Sequence, residues 1–259
     1  LLERPDLGDE RCQRALAEVG ADALLSWFYP KQVPLSVLQR FPRGAFGTHP
    51  SLLPRWRGPD PYFWAIHEGD LETGVSLHRL EAEYDTGSVI AQERLTIDPC
   101  EDSFQLAKRL DRPALRLLVE CARRLREGDP LEGVAQDPAA VTLAPKPEPE
   151  QLEIDWEASA AQIVRLVRAA APYPAASCEL GTELVEVVRA AVYPRALPRA
   201  LEPCDAVWTP SGLVVRAGDA GVLIERVRTE QGELLRGSEL TRLFPEGLTH
   251  VHFEPKEAR

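Results

Sequence analysis

The chain has 259 residues (28.7 kDa), of which 44% are apolar and 27% charged. That supports a real core in one large or two modest domains and excludes disordered and fibrous classes. Thirty Lys and Arg against 41 Asp and Glu give a net charge of −11, which argues against a surface built wholesale for polyanions, though not against a local basic strip. No apolar run approaches the roughly 20 residues of a spanning helix, and the opening Leu1-Leu2-Glu3-Arg4 shows no signal-peptide pattern.

In chain order, residues 9–19 have helical spacing with Asp9 as the expected N-cap, and 22–28 form a short apolar run of the kind found in buried parallel strands. A helix is expected at 34–41, a strand from Gly44 to His49, and a helix over 60–68 with Pro61 in its first turn. Residues 74–80 and 87–95 alternate as two strands around Asp85-Thr86-Gly87, and 102–126 read as a long amphipathic helix kinked at Pro113. Strands alternating with helices predict an α/β layer with a mainly parallel sheet.

From 134 to 152 the chain turns rich in Pro and Ala and loses periodicity, the signature of a stiff linker. Residues 158–171 form one amphipathic helix. Five short β-type runs follow, at Ser177–Leu180, Leu184–Tyr193, Ala206–Thr209, Leu213–Arg216 and Val222–Val227. They suggest a small closed or partly open barrel. The expected division is therefore 1–133, a linker at 134–152, and 153–259.

Cys12, Cys100, Cys121, Cys178 and Cys204 form no C-x-x-C pair. They read as small buried hydrophobes in a reduced, cytoplasmic chain. His250 and His252 could chelate a metal, but the absence of further ligands nearby favours no metal. Only four cations are lysines and 26 are arginines, a bias ascribed to genome composition. The chain has no Met and begins at Leu1, as expected of a sequence lacking an N-terminal piece or its methionines.

Chemistry concentrates in Gly47-Thr-His-Pro-Ser-Leu-Leu-Pro-Arg-Trp-Arg-Gly58 and, 36 residues after His49, Asp85. A His at the carboxyl end of a strand with a carboxylate in reach makes an acid/base pair. The carboxylate favours the imidazolium form. Spacing alone leaves a structural histidine and a turn acid ahead of that reading.

The motif His49-Pro-Ser-Leu-Leu-Pro-Arg-Trp-Arg-Gly58, with Glu68–Gly74, His78-Arg79 and Asp85-Thr-Gly87, resembles the folate-dependent formyltransferases. Ile154-Asp155-Trp156, Ile163–Ala169 and Pro172-Tyr173-Pro174 are similar to the domain that follows in the methionyl-tRNA members. The resemblance implies an α/β fold: a Rossmann-like catalytic domain followed by an OB-like barrel. It implies 10-formyltetrahydrofolate as co-substrate, no metal, and transfer of the formyl group to a primary amine through a tetrahedral intermediate. His49 would stabilise the oxyanion and Asp85 would polarise His49 and relay a proton. Phe28, Tyr29, Pro30, Val33 and Pro34, with Tyr84 and Asp85, would wall the pterin pocket. Ser51, Leu52, Leu53, Pro54, Arg57 and Gly58 would form the acceptor-side loop, and initiator tRNA would be a partner through the second domain.

Two departures stand out. The family's Asn-x-His has Gly47 at the Asn position, so a hydrogen-bond donor is missing, with Thr48 or a water as the expected substitute. Only 46 residues precede Gly47, fewer than in the family, so the sheet is expected to lack its first strands and expose an edge. An impaired, binding-only relative, a formyltransferase for another amine such as an amino sugar, and a hydrolase of the same folate are the alternatives. Residues 151–259 carry 12 Lys and Arg against 16 Asp and Glu, and Arg165, Arg168, Arg189, Arg195 and Arg199 are the candidate tRNA strip.

Overall fold

A computed structural model describes residues 7–180, 183–244 and 250–251. Two compact units divide it. The first comprises residues 1–65, 70–98 and 105–146, and the second 66–69, 99–104 and 147–259.

In the first unit, α1 (Glu10–Val19) starts on Asp9, whose carboxylate accepts the Arg11 N–H at 2.9 Å, and ends on Gly20 in the left-handed region. Then come β1 (Leu24–Trp27), the one-turn α2 (Leu35–Leu38), β2 (Ala45–His49), α3 (Pro61–His67), β3 (Glu72–Arg79), β4 (Val89–Thr96) and the long α4 (Ser103–Arg126). Pro113 lies inside α4 without ending it, with its ring buried.

The sheet order is β1-β2-β3-β4, and only β1 and β2 are parallel. The expectation of a mainly parallel sheet is thus corrected. A parallel partner needs a crossover back to the start of the preceding strand. The seven-residue α3 spans only about 10 Å, so the chain stays at the carboxyl end of β2 and returns as an antiparallel strand. A short loop then makes β3 and β4 a hairpin. β1, expected to be buried, is an edge strand with Trp27 exposed.

Alternation along β2 and β3 sorts side chains to two faces. Phe46 and Leu77 pack against Leu118, Cys121 and Leu125 of α4. Ala45, on the opposite face, joins Val37, Leu38 and Phe41 around α2. Beyond Ala45 that face carries Gly47 and His49.

The second unit contains α5 (Ala160–Ala170), opened by a capping box between Ser159 and Gln162. Its strands are β5 (Ala176–Leu180), β6 (Glu183–Val192), β7 (Ala206–Thr209), β8 (Gly212–Arg216), β9 (Gly221–Thr229), β10 (Leu234–Arg236) and β11 (His250–Val251). Their order is β11-β7-β8-β9-β6-β5, with β10 on β9. Along one edge β9 pairs first with β8 (Gly221–Ile224) and then with β10 (Arg226–Arg228), so it bends between partners. No ladder among the described residues joins the ends of this path, which is an open form of the expected barrel.

Cys12, Cys121, Cys178 and Cys204 are buried as expected, whereas Cys100 is exposed. His252 lies outside the described residues. No helix among them is long and apolar enough to cross a membrane.

Candidate active site

The first unit holds a cleft of about 400 Å³ at the carboxyl end of β2. Gly47, Thr48 and His49 form its floor, Phe28, Tyr29, Pro30 and Val33 one wall, and Tyr84 and Asp85 another, while Gly58 borders it. Of the residues expected to contact ligand, Pro34 caps α2 outside the cleft, and Ser51, Leu52, Leu53, Pro54 and Arg57 lie behind it. Lys31 of the Phe28–Pro34 loop and Tyr62 line the cleft too, as do Ser26, His78, Leu80, Glu81 and Glu83, which sequence reasoning did not select for the site.

His49 is buried, and its Nε2–H donates to the Trp56 carbonyl at 2.8 Å. A carbonyl can only accept, so this bond fixes the tautomer and leaves the Nδ1 lone pair facing Asp85 Oδ1 at 3.4 Å. Asp85 Oδ2 accepts the Gly58 N–H at 3.0 Å. Burial lowers the His49 pKa, outweighing the opposing pull of the Asp85 carboxylate. The imidazolium reading weighed the carboxylate alone; desolvation reverses its sign.

His78 is the second imidazole on Asp85. Its Nδ1–H donates to the Arg79 carbonyl at 2.8 Å, and Nε2 faces Asp85 Oδ1 at 3.8 Å. Burial, reinforced by the neighbouring His49, pushes its pKa down to about 4 against the pull of Asp85. Neutral His49 and His78 therefore both turn lone pairs toward one carboxylate oxygen. Burial raises the Tyr62 pKa, reinforced by Asp111 and Asp60, so its phenol keeps its proton.

The Ser51–Gly58 segment supports the site from behind. The Ser76 hydroxyl donates to Ser51 O at 2.7 Å and accepts from Leu53 N–H at 2.9 Å. Arg55 grips Asp70 through two bonds of 2.8 and 2.6 Å, and the Trp56 indole donates to the same carboxylate at 2.7 Å. Those contacts hold Trp56 at φ 61°, placing its carbonyl against His49. Asp85 itself sits at φ 56°, a left-handed conformation that Asp tolerates better than most residues.

Gln136 was missed by the sequence reading. Its amide N–H groups donate to the carbonyls of Asp85 and Gly87, both at 2.7 Å, while its Oε1 accepts from Arg57 at 3.0 and 2.7 Å. The segment read as linker thus runs through the site's support: Arg57 also pairs with it, donating from N–H to Thr142 O at 2.9 Å and accepting from Ala144 N–H at 2.7 Å. The three consecutive aromatics of α3, Tyr62, Phe63 and Trp64, differ in their surroundings. Tyr62 lines the cleft, Phe63 is buried, and Trp64 stacks on Trp56 and donates to Pro145 O at 2.7 Å. The Thr48 hydroxyl points to Ser26 O at 3.5 Å. Among the described residues no three His, Cys, Asp or Glu side chains are grouped to hold a metal.

The chain, an α/β unit followed in sequence by an open antiparallel β unit, belongs to the formyltransferase family. Residues 2–122 match the family's formyl transferase model and 146–245 its C-terminal domain model. Among solved structures, HypX from Aquifex aeolicus in complex with tetrahydrofolic acid aligns over 95% of this chain and 43% of its own, at 22% identity and a TM-score of 0.70. An N-formyltransferase from Helicobacter canadensis in complex with folinic acid and dTDP-3-aminofucose covers 75% of this chain and 68% of its own, at 14% identity and a TM-score of 0.59. The methionyl-tRNA formyltransferase from Clostridium thermocellum covers 70% and 76%, at 20% identity and a TM-score of 0.54. The chain spans less than half the length of HypX, and identities this low establish the fold alone.

Proposed function

We propose that the protein transfers the formyl group of 10-formyltetrahydrofolate to a primary amine, with residues 1–133 as catalytic domain and 153–259 as OB-like domain. The observation that carries this reading is the convergence of His49 and Asp85 at the end of β2 in a cleft lined by the Phe28–Val33 loop and the Asp85 loop. Folate would lie between those loops. As the amine adds to the formyl carbon it releases a proton, which the neutral His49–Asp85 pair takes up. Protonated at Nδ1, His49 then has an N–H for the developing oxyanion, which its neutral form lacks because Nε2–H is held by Trp56.

The resemblance of the second domain supports a methionyl-tRNA acceptor. A small amine acceptor, such as an amino sugar, is a second reading favoured by the basic strip. Arg165 and Arg168 donate to the main-chain carbonyls of His67 and Glu101 at 3.1 and 2.8 Å, and Arg189 pairs with Glu225 at 2.7 Å. Arginines committed in this way are poorly placed to hold phosphates.

The test is turnover of 10-formyltetrahydrofolate with methionyl-tRNA and with amino sugars, followed by release of tetrahydrofolate. His49→Ala is expected to abolish it and leave the circular-dichroism spectrum unchanged. Absence of both turnover and binding of a stable 10-formyl-folate analogue would overturn the proposal. Binding without turnover would point to the binding-only relative.

A further inference from the structure

His78 lies opposite Gly47 in the β2–β3 ladder. Directly opposed residues of an antiparallel pair project to the same face. The His78 ring and the bare face of Gly47 therefore share the cleft side of the sheet with His49. A Cβ placed on Gly47 would lie 3.7 Å from His78 Nε2, so no side chain at position 47 stands between that nitrogen and the cleft. The opposite ring nitrogen is fixed as a donor by the Arg79 carbonyl. Nε2 is accordingly a buried acceptor aimed at Asp85 Oδ1.

We infer that His78 is a positioning residue for proton transfer, so that one proton is shared by Asp85, Nδ1 of His49 and Nε2 of His78. The inference rests on the formyl-transfer reading. The amine lone pair forms the new C–N bond to the formyl carbon, and the C=O π pair moves to oxygen. The proton lost by the amine enters the three-membered cluster on Asp85. The oxygen lone pair then re-forms C=O, the bond from the formyl carbon to folate N10 breaks, and the proton leaves the cluster for N10. One proton enters and one leaves, and no oxidant or reductant is required. With two imidazole lone pairs facing it, the proton on Asp85 has an acceptor on the His49 side and one on the His78 side. Asp85 can thus take the proton from the amine and pass it to Nδ1 of His49, where it serves the oxyanion before it leaves for N10.

Three groups from the elements around His78 set its titration. Protonated His49 on β2 and the Arg57 guanidinium on the loop after β2 disfavour the charged ring, and Asp85 on the loop after β3 favours it.

The test is ¹⁵N NMR of the imidazoles in the intact protein. At pH 7.5 His78 is expected to carry its proton on Nδ1 with Nε2 bare, and His49 the reverse. Asp85→Asn is expected to lower the His78 midpoint and His49→Phe to raise it. His78→Phe is expected to slow formyl transfer about 10²-fold, the lower end of what proton-transfer groups contribute, and to move the acid limb of the pH–rate profile. His78→Gln, which keeps an acceptor atom, is expected to retain more activity and serves if the Phe variant does not fold. A proton on Nε2 of His78 at neutral pH, or a midpoint indifferent to Asp85→Asn, would overturn the inference. Coupled titration without formyl transfer to any amine would support the shared proton and overturn only the activity. Turnover with an uncoupled His78 would do the opposite.

Discussion

Gly47 has an ordinary backbone: its φ lies outside the left-handed region, so an asparagine can adopt it, and the obstacle is Leu80 Cδ2, 2.7 Å from where a Cβ would sit. That atom is the far end of a flexible side chain. Gly47→Asn is therefore expected to reduce stability by about 1–3 kcal/mol through overpacking, with little change in rate. In the double variant Gly47→Asn/Leu80→Ala, stability is expected to recover. One donor aimed at the oxyanion is worth about 2.7–4 kcal/mol in other acyl-transfer sites, so kcat is expected to rise toward 10²-fold with KM unchanged. Thermal melts with steady-state kinetics on the three proteins check this; a double variant slower than wild type would show that Leu80 belongs where it is. His78 makes a separate prediction. Its pKa falls from 6.5 to about 4 on folding. Between those values the unfolded chain binds a proton at this residue that the folded chain does not, so stability declines as pH falls through the window and levels below about 4. At about 1.4 kcal/mol per pH unit the total is roughly 3 kcal/mol, and His49 adds in the same direction. Urea unfolding of wild type and His78→Gln between pH 7.5 and 4.5 is expected to show a flatter pH dependence in the variant.

The loop after β3 is held by close main-chain approach as much as by side chains. A Cβ on Gly87 would come within 2.0 Å of the Arg79 carbonyl oxygen, a main-chain atom that cannot step aside. Gly87→Ala is expected to push the loop off β3 and carry Asp85 away from His49. Misplacement by about 1 Å lowers rates about 10²-fold, so kcat/KM is expected to fall by that order with the circular-dichroism spectrum intact. Gln136→Leu leaves two loop carbonyls and the Arg57 guanidinium without their partner. It is expected to cost about 1–3 kcal/mol of stability, read from urea midpoints, and part of the activity. These supports also show where the sequence stops being legible. The strand ending in His49 and the turn at Asp85 could be read from alternation and from residues local to each. Gln136 acts on partners 49 to 79 positions away, and Asp70 holds Trp56 from across the α3 turn. Neither has a local pattern, because the long-range packing that brings them in leaves no periodicity in the chain. Strand direction was misread for a related reason: helix length, not helix presence, decides whether the chain crosses back.

Across the whole molecule, fold class was legible because two different periodicities lie on either side of the Pro- and Ala-rich stretch. Where the first unit ends was harder to see: residues up to 146 pack with it, since Thr142 and Ala144 bond to Arg57. The acceptor is the question left to the molecule's charge. A protein that recognises tRNA through phosphates releases counterions, and log K falls with log[salt] at a slope of about −0.7 to −0.9 per phosphate contact. Of the five arginines in the candidate strip, Arg165 and Arg168 are bonded to carbonyls and Arg189 to a carboxylate. That leaves Arg195 and Arg199, in a protein of net charge −11. Two contacts correspond to a slope near −2 at most. The expected outcome is that log(kcat/KM) for methionyl-tRNA between 50 and 200 mM salt falls no more steeply than that, and that an amino-sugar acceptor is preferred at the higher salt. Initial rates at four ionic strengths with each acceptor decide it. A slope of −5 or steeper would mean that the ion pairs on the second unit open to receive phosphates, and would favour the tRNA acceptor over the amino sugar.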